Sequence, residues 1–357
     1  MSATPHAAIV VPTIREDNIR TFVQSWEPEL GTHRLIVIED NPEQTFTLPS
    51  WVEHYAWRDI DSQLGEAAWI IPRRSDCIRS FGYILAVEQP CDLVVTLDDD
   101  CYPEDDYPQG YLCAMGRAIA TAWEDDRWWN TLGGSIFPRG YPYAIREVRL
   151  PTAVHHGLWS HVPDLDALTQ LNNPDYRTSP ASTVHRVPYG RFFPMCGMNL
   201  AFRPEFAPVM YFLLMGRSSA GGSWLYDRFG DIWAGIFAKK IADHLGFAIS
   251  SGAPSVRHCR ASSAEVNLIK EKPAYPTNEL LWRRVSQVQL VSRSPAACYV
   301  ELASKLRMEG RYWRTLRRAM ITWSKLFAAA RDGDPHVSRN GNESQVRGRP
   351  WKRYVCP

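Results

Sequence analysis

Apolar and polar residues form two kinds of pattern along the first hundred positions, one typical of strands and one typical of helices. Short runs rich in β-branched residues at 7–11, 35–38 and 93–97 predict strands, because such runs are typical of strands buried on both faces. Helices are predicted at 17–26 and at 75–87. Strands that alternate with helices indicate an α/β fold with a mostly parallel sheet.

The remainder of the chain divides into three stretches. Residues 151–270 mix apolar runs with Pro, Gly and loop sequences, and we expect them to complete the sheet and cover its ligand-binding edge. From 278 to 331 apolar residues recur at helical spacing, which predicts a helical extension after a domain that ends at 277. Residues 332–357 are polar and basic and are predicted to be disordered.

Polar side chains follow three of the predicted strands. Thr13 and Arg15 follow the first, Asp40 follows the second, and a triplet of aspartates at 98–100 follows the third. Ligands of parallel α/β sheets bind at the carboxyl ends of the strands. Adjacent carboxylates repel one another unless a cation neutralises them, and oxygen ligands suit Mg²⁺ or Mn²⁺. The triplet therefore indicates either a cation site for a nucleotide diphosphate or an acidic surface turn in which Asp100 caps a helix.

Composition removes several classes of function. The chain carries 40 basic and 39 acidic residues, so no overall field favours nucleic acid or a membrane surface. No apolar run approaches the roughly 20 residues of a membrane helix, and residues 1–6 lack the pattern of a signal peptide. We therefore expect a cytoplasmic protein. The Gly-x-Gly-x-x-Gly and Walker sequences of dinucleotide and triphosphate sites do not occur.

Three further candidates are ambiguous when taken alone. Arg139 and Arg146 flank a Gly/Pro turn, and they could bind phosphate oxygens bidentately or form structural ion pairs. His258 could complete an oxygen-rich Mn²⁺ site, although a single histidine usually has an ordinary role. Asp231 precedes a predicted helix and could equally be its N-cap.

Longer motifs resemble those of one family, the reversibly glycosylated polypeptides, also called UDP-arabinopyranose mutases and grouped as glycosyltransferase family 75. The resemblance is collinear from residue 7 to residue 323, and its block at 193–202 is the most specific part. The matching motifs are VPTIR (11–15), LDDDC (97–101), RGYP (139–142), HGLW (156–159), FPMCGMNLAF (193–202), DIWAG (231–235) and DHLG (243–246).

The resemblance implies a glycosyltransferase type A fold in which residues 1–277 form the catalytic domain that binds a nucleotide sugar. It also implies dependence on Mn²⁺ or Mg²⁺, no flavin, and interconversion of the pyranose and furanose forms of a sugar such as that of UDP-arabinose. Family members glycosylate themselves reversibly on an arginine. That arginine corresponds to Arg139 here, and a second required arginine corresponds to Arg146.

The site residues expected from this resemblance divide by role. Arg139, Arg146 and Asp231 are the catalytic candidates. Arg139 is either a nucleophile that Asp231 would activate as a base, or a group that only stabilises the departing diphosphate, with self-glycosylation as a slow side reaction. The metal is expected on Asp98, Asp100 and His258. Nucleotide contacts are expected from Pro12, Thr13, Arg15, Asp40, Arg79, Asp98, Asp99 and Lys270. Sugar contacts are expected from His156, Trp159, Gly197, Asn199 and Trp233.

Departures from the family pattern leave the sugar and the base open. Gly230 stands where the family has an aspartate before Asp231, and the segment 75–79 has one residue more than the family's Ser-Ala-Cys-Arg. Three functions remain at this point: a nucleotide-sugar mutase, a glycosyltransferase that passes the sugar to an acceptor or to itself, and a non-catalytic partner of an active paralogue. UDP is the expected nucleotide of the substrate, with GDP and dTDP as alternatives. The chain could also form a homo-oligomer.

Overall fold

The computed structural model describes residues 5–105, 107, 110–259 and 262–332. The strands are β1 (Ala7–Thr13), β2 (Arg34–Glu39), β3 (Val52–Tyr55), β4 (Leu93–Leu97), β5 (Cys101–Tyr102), β6 (Ala122–Glu124), β7 (Arg149–His161), β8 (Val184–Arg186), β9 (Asn199–Phe202) and β10 (Ala248–His258). The helices are α1 (Glu16–Leu30), α2 (Trp57–Leu64), α3 (Arg79–Glu88), α4 (Tyr111–Ala120), α5 (Ala167–Asn172), α6 (Gly230–Leu245), α7 (Ala264–Glu271), α8 (Tyr275–Ser286), α9 (Pro295–Lys305) and α10 (Arg311–Asp332).

The strands form one mixed sheet in the order β3-β2-β1-β4-β9-β7-β10-β5. β1 pairs parallel with β2 and β4, β2 pairs parallel with β3, and β7 pairs parallel with β10. β9 pairs antiparallel with both β4 and β7, so β4 and β7 also run in the same direction. The ends of these parallel strands meet along one border of the sheet, which we call the carboxyl edge. The sheet and its helices confirm the predicted α/β fold.

Helices cover both faces of the sheet because its central strands are apolar throughout. Every residue of β1 is buried, and its alternating side chains enter two separate core clusters. α1 and α4 contribute Trp26 and Met115 to one cluster. α3 and α6 contribute Phe81 and Trp233 to the other. The predicted strands in the first hundred residues correspond to β1, β2 and β4, as expected.

The helix predicted at 75–87 begins later than the pattern indicated. Ser75 Oγ accepts a hydrogen bond from Cys77 N and caps a 3₁₀ turn, and α3 starts only after that turn. Local capping therefore overrides the apolar periodicity at this point. As a result Arg79 lies in the first turn of α3, beside the carboxyl edge.

α8, α9 and α10 form the predicted C-terminal helical part. Trp323 of α10 is fully buried, stacks on Tyr211 with ring centroids 5.1 Å apart, and donates to Pro208 O at 3.1 Å. The boundary predicted at 277 falls within α8. The basic tail predicted at 332–357 lies, from residue 333 onward, outside the described residues. No described helix combines the length and apolar character needed to cross a membrane.

Candidate active site

The carboxyl edge gathers the polar strand ends that the sequence pattern predicted. Arg15 follows β1, Asp40 follows β2, the triplet at 98–100 follows β4, and His258 ends β10. β5 and β10 pair so that His258 lies opposite the residue that follows the triplet. Cys259 N also donates to the backbone oxygen of the triplet's last residue at 2.9 Å. The sheet order thus joins groups that are far apart in the chain.

Two aspartates of the triplet are paired with arginines. Asp99 is buried, accepts a hydrogen bond from Thr13 Oγ1 at 2.6 Å and forms a salt bridge with Arg15. Asp98 forms a salt bridge with Arg79, and 33% of its side chain remains exposed. A buried carboxylate without a partner is costly, so these pairs allow the negative charges to lie together at the end of β4.

The third aspartate, Asp100, and His258 have the chemistry of a metal site. His258 Nε2 lies 3.7 Å from Asp100 Oδ1, while the Nδ1–H group donates to Val162 O at 2.6 Å. That bond leaves the Nε2 lone pair facing the carboxylate, an arrangement common among metal-binding histidines. Burial and the charge of Asp98 raise the pKa of Asp100 to about 6. A bound cation would offset this cost of ionising the carboxyl group.

The residues at this edge suit a divalent cation by the chemistry of their donor atoms, although these atoms are not already arranged around a metal position. Within the described part of the chain, no three His, Cys, Asp or Glu side chains are already spaced to hold a metal ion. Asp98, Asp100 and His258 offer two carboxylates and one imidazole at the same strand ends, a set that suits Mn²⁺ or Mg²⁺. These residues therefore fit the cation that the resemblance implies.

Arg79 connects the triplet to the 193–202 block. Its side chain is buried, and Nη1 donates to Thr96 Oγ1 at 2.9 Å and to Gly197 O at 2.5 Å. The other terminal nitrogen pairs with Asp98. Because these donors are engaged within the protein, the geometry supports a positioning role for Arg79. A direct contact between Arg79 and the nucleotide stays a prediction.

A second group of carboxylates lies beside Gly197. Asp231, in the first turn of α6, accepts hydrogen bonds from Gly197 N at 3.0 Å and from Ile232 N at 2.8 Å. Burial and the charges of Asp76 and Asp164 raise the pKa of Asp231 to about 8, and burial also raises the pKa values of those two neighbours. All three carboxylates retain some solvent-accessible surface. We call the partly solvent-accessible space beside these three carboxylates the crevice, and the raised pKa keeps Asp231 mainly protonated at neutral pH.

Asp76 and Asp164 were not among the predicted site residues. Asp164 follows the end of β7, so the rule that identified the triplet would have found it if that strand end had been predicted. Asp76 brings a carboxylate close to Asp231, in a chain that has Gly230 where the family has an aspartate. A Cβ on Gly230 would lie 2.2 Å from Cys77 Sγ, so a larger side chain there would require a shift of the buried Cys77.

The residues expected to bind the nucleotide on β1 and β2 lie at the carboxyl ends of these two strands. Asp40 is buried and accepts hydrogen bonds from Trp57 Nε1 at 2.7 Å and from Ser75 N at 2.9 Å. Burial raises the pKa of Asp40. Pro12 is buried within β1. Asp40 therefore joins β2 to the segment before α3, and its contact with a nucleotide stays a prediction.

α7 borders the crevice on the other side. Lys270 Nζ lies 3.3 Å from Asp227 Oδ2, and the next residue, Glu271, accepts a hydrogen bond from Arg228 Nε at 3.1 Å. Glu271 also accepts a hydrogen bond from Ala167 N at 2.9 Å, which ties α7 to α5. Lys270 keeps a half-exposed side chain at this rim, as a phosphate contact would require, although that role is a prediction.

The residues expected at the sugar are not all at the crevice. Gly197 lies at its centre, between Arg79 and the carboxylates. Asn199 is fully buried, and its amide makes three hydrogen bonds with neighbouring groups. Trp233 is fully buried in the core, and His156 is 3% exposed beside Trp159, with ring centroids 5.5 Å apart. Asn199, Trp233 and His156 are therefore buried, and sugar contacts by all five residues stay predictions.

Within one copy, the structure does not bring Arg139 and Arg146 together with the triplet. Both lie between β6 and β7, whereas the triplet lies at the other end of β7. β7 has 13 residues, so at about 3.3 Å per residue its ends are roughly 40 Å apart along the strand. Arg146 stacks instead on Tyr143, with Cζ 3.8 Å from the ring centroid. Arg146 therefore lies near the N-terminal end of β7 and the triplet near its C-terminal end, and a role of Arg146 at the diphosphate stays a prediction.

Together the sheet order, the carboxylates at the carboxyl edge and the C-terminal helices define the class: an α/β protein with a fold like that of glycosyltransferases of type A. The family model of the reversibly glycosylated polypeptides matches residues 4–332, and the chain belongs to that family.

Curated relatives agree with this assignment over most of the chain. A protein of Pisum sativum named probable UDP-arabinopyranose mutase 1 is 36% identical, over 95% of this chain and 94% of its own length. UDP-arabinopyranose mutase 1 of Arabidopsis thaliana is 36% identical over 88% of this chain and 90% of its own length. The Oryza sativa subsp. japonica protein of the same name is 35% identical over 88% of each.

Proposed function

We propose that this chain is a metal-dependent nucleotide-sugar mutase that interconverts the pyranose and furanose forms of a UDP-sugar of the arabinose type, without a flavin. The observation that carries the proposal is the 36% identity, over nearly the whole chain, to a protein named as a UDP-arabinopyranose mutase. The carboxyl edge supports it, since metal-type donors and a second carboxylate group lie on either side of Gly197.

The first part of the mechanism concerns the diphosphate. Asp98, Asp100 and His258 would hold the divalent cation, which when bound neutralises the two phosphates and makes the diphosphate a better leaving group. Arg15 and Arg79 keep the aspartates in place, through the salt bridges described above. The diphosphate would thus lie at the end of β4, with the sugar toward Gly197.

The second part concerns the ring. After the diphosphate leaves the anomeric carbon, another hydroxyl of the same sugar attacks that carbon; the diphosphate then returns and displaces the former ring oxygen, so that the ring size has changed and the bond to the diphosphate is restored. The leaving oxygen gains a proton and the attacking hydroxyl loses one. Asp231, mainly protonated at neutral pH, is suited to donate the first proton, and Asp164, the most exposed of the three crevice carboxylates, to accept the second. We thus assign Asp231 as an acid in place of the base first expected.

Reversible self-glycosylation on Arg139 forms the finer part of the proposal. Arg139 is exposed and lies beyond the far end of β7 from the triplet. A sugar held at the triplet of one copy would therefore reach Arg139 of another copy. This requirement distinguishes self-glycosylation from the ring interconversion, which needs only the groups at the carboxyl edge.

The test is incubation of the purified protein with Mn²⁺ and a panel of UDP-, GDP- and dTDP-sugars, followed by chromatography of the products. A second ring form of the same nucleotide sugar, with no release of free nucleotide, is the expected result. Free nucleotide with a modified acceptor or modified protein would instead indicate a glycosyltransferase. Turnover only after addition of an active paralogue would indicate a non-catalytic partner.

A further inference from the structure

Arg228 lies beside the crevice and has no part in the steps assigned above. It stands two residues before α6 begins, and 32% of its side chain is exposed. Its positive charge acts on both Asp76 and Asp164, the two carboxylates that neighbour Asp231. A cation that keeps access to solvent therefore borders the space in which the sugar would lie.

The backbone of Arg228 has an uncommon conformation. Its φ angle is 62°, in the left-handed region that glycine adopts readily and other residues rarely. Backbone strain of this kind in a non-glycine residue is typical of functional sites, where a side chain is needed in one particular place. A glycine would satisfy the backbone without strain, so the conformation points to a use for the guanidinium group.

Glu271 of α7 holds the guanidinium group of Arg228 by one nitrogen. Arg228 Nε donates to Glu271 Oε1 at 3.1 Å, and Glu271 Oε2 accepts a hydrogen bond from Ala167 N at 2.9 Å. Glu271 is 4% exposed, so it is a fixed anchor. The two terminal nitrogens of Arg228 make no hydrogen bond with any residue in the part of the chain that the structure describes. They are therefore available to a ligand.

A nucleotide sugar offers these nitrogens either a phosphate or the hydroxyls of the sugar, and a guanidinium group can bind both. Glu271 already offsets the charge of Arg228, and Asp76 and Asp164 are close enough for their charges to act on it. These carboxylates would repel a phosphate. A sugar hydroxyl is neutral and both donates and accepts, so it can accept from Arg228 and donate to a carboxylate. The surroundings of Arg228 therefore favour the sugar.

We propose that Arg228, held in place by Glu271, recognises the sugar of the bound nucleotide sugar by donating hydrogen bonds from its terminal nitrogens to sugar hydroxyls. This assignment rests on the proposed function, which places the sugar toward Gly197. A site built to pair with a substrate hydroxyl discriminates strongly against ligands that lack it, because its own polar groups are then left unpaired. Arg228 should therefore contribute to the affinity for a nucleotide sugar and not to the affinity for the nucleoside diphosphate alone.

Calorimetry in the presence of Mn²⁺ with two ligands, UDP and UDP-arabinopyranose, measures this contribution. Arg228→Lys keeps a positive charge, but its single amino group cannot serve Glu271 and the sugar together. The variant should bind UDP as the natural protein does and UDP-arabinopyranose roughly tenfold more weakly, a loss of about 1.4 kcal/mol. Arg149→Lys is the matched control, because Arg149 also forms an ion pair of 3.1 Å, with Glu124 at the other end of β7. Its two affinities should be unchanged.

The difference between the two ligands decides the outcome, and normal binding of UDP shows that the variant is folded. Equal losses for UDP and UDP-arabinopyranose would overturn the proposal, because Arg228 would then act on the phosphates or on the fold. Full affinity of Arg228→Lys for both ligands would also overturn it, since the guanidinium group would then serve only as the partner of Glu271. Neither result depends on turnover. A natural protein that does not isomerise the sugar would contradict the proposed function, while the two affinities would still test Arg228.

Discussion

The substitution Asp231→Asn should lower the stability of the protein at pH 4 and raise it at pH 8. The carboxyl pKa is about 8 in the folded chain, because of burial and the charges of Asp76 and Asp164, against an ordinary value of 3.8. Between these values the folded state holds a proton that the unfolded state has released. The contribution of Asp231 to the free energy of unfolding is therefore complete below pH 4 and is lost as the pH rises toward 8. Asparagine does not titrate, so the variant escapes this loss.

The magnitude follows from the two pKa values and the hydrogen bonds. A change from 3.8 to about 8 corresponds to roughly 5–6 kcal/mol above pH 8. Asp76 and Asp164 can take up a proton instead, so we expect on the order of 2 kcal/mol of net stabilisation at pH 8. Asparagine has one acceptor oxygen for the N–H groups of Gly197 and Ile232, and loses about 1 kcal/mol there. At pH 4 only this loss remains.

Chemical denaturation of both proteins at several pH values between 4 and 9 measures the effect. The variant should be about 1 kcal/mol less stable at pH 4 and more stable at pH 8, while losing turnover at every pH. Asp175→Asn, at an exposed position, controls for the removal of one carboxylate. A stability difference that stays constant across this range would refute the protonated state of Asp231.

Three further substitutions test the parts of the site separately. Asp100→Ala should lose most affinity for nucleoside diphosphate with Mn²⁺ while staying folded, which calorimetry measures. EDTA should abolish turnover of the natural protein until Mn²⁺ is restored, which the turnover assay checks. Arg79→Lys removes the fork that reaches Thr96, Gly197 and Asp98, so denaturation should show a loss of about 3–5 kcal/mol. Gly197→Ala would place a Cβ 2.6 Å from the Phe212 ring and 3.2 Å from Arg79 Nη1, which should cost about 1–3 kcal/mol and reduce turnover. Unchanged stability of either Arg79→Lys or Gly197→Ala would contradict the packing described around Gly197.

The elements that define the sheet were predictable because their signals are local. The runs in β1, β2 and β4 are apolar on both faces, and each is followed by polar residues that the parallel arrangement brings to one edge. The start of α3 was predicted too early, since the cap of Ser75 depends on a single hydroxyl that periodicity does not register.

The pairing of distant groups was not predictable from local pattern. Asp231 meets Asp76 and Asp164 only because α6, the segment before α3 and the end of β7 converge on one crevice. The separation of Arg146 from the triplet depends on the length and direction of β7, which the motif spacing does not reveal. Residues expected to touch the sugar, such as Asn199 and Trp233, are buried because polar and aromatic side chains also complete a core.

The central claim is that groups at the carboxyl edge change the ring size of a nucleotide sugar. The most direct measurement starts two reactions with Mn²⁺, one from UDP-arabinopyranose and one from UDP-arabinofuranose, and follows both by chromatography. The account predicts that both reach the same ratio of the two forms, without accumulation of free UDP, and that Asp98→Asn stops both reactions. Accumulation of free UDP from both starting compounds, or no change in either, would contradict it.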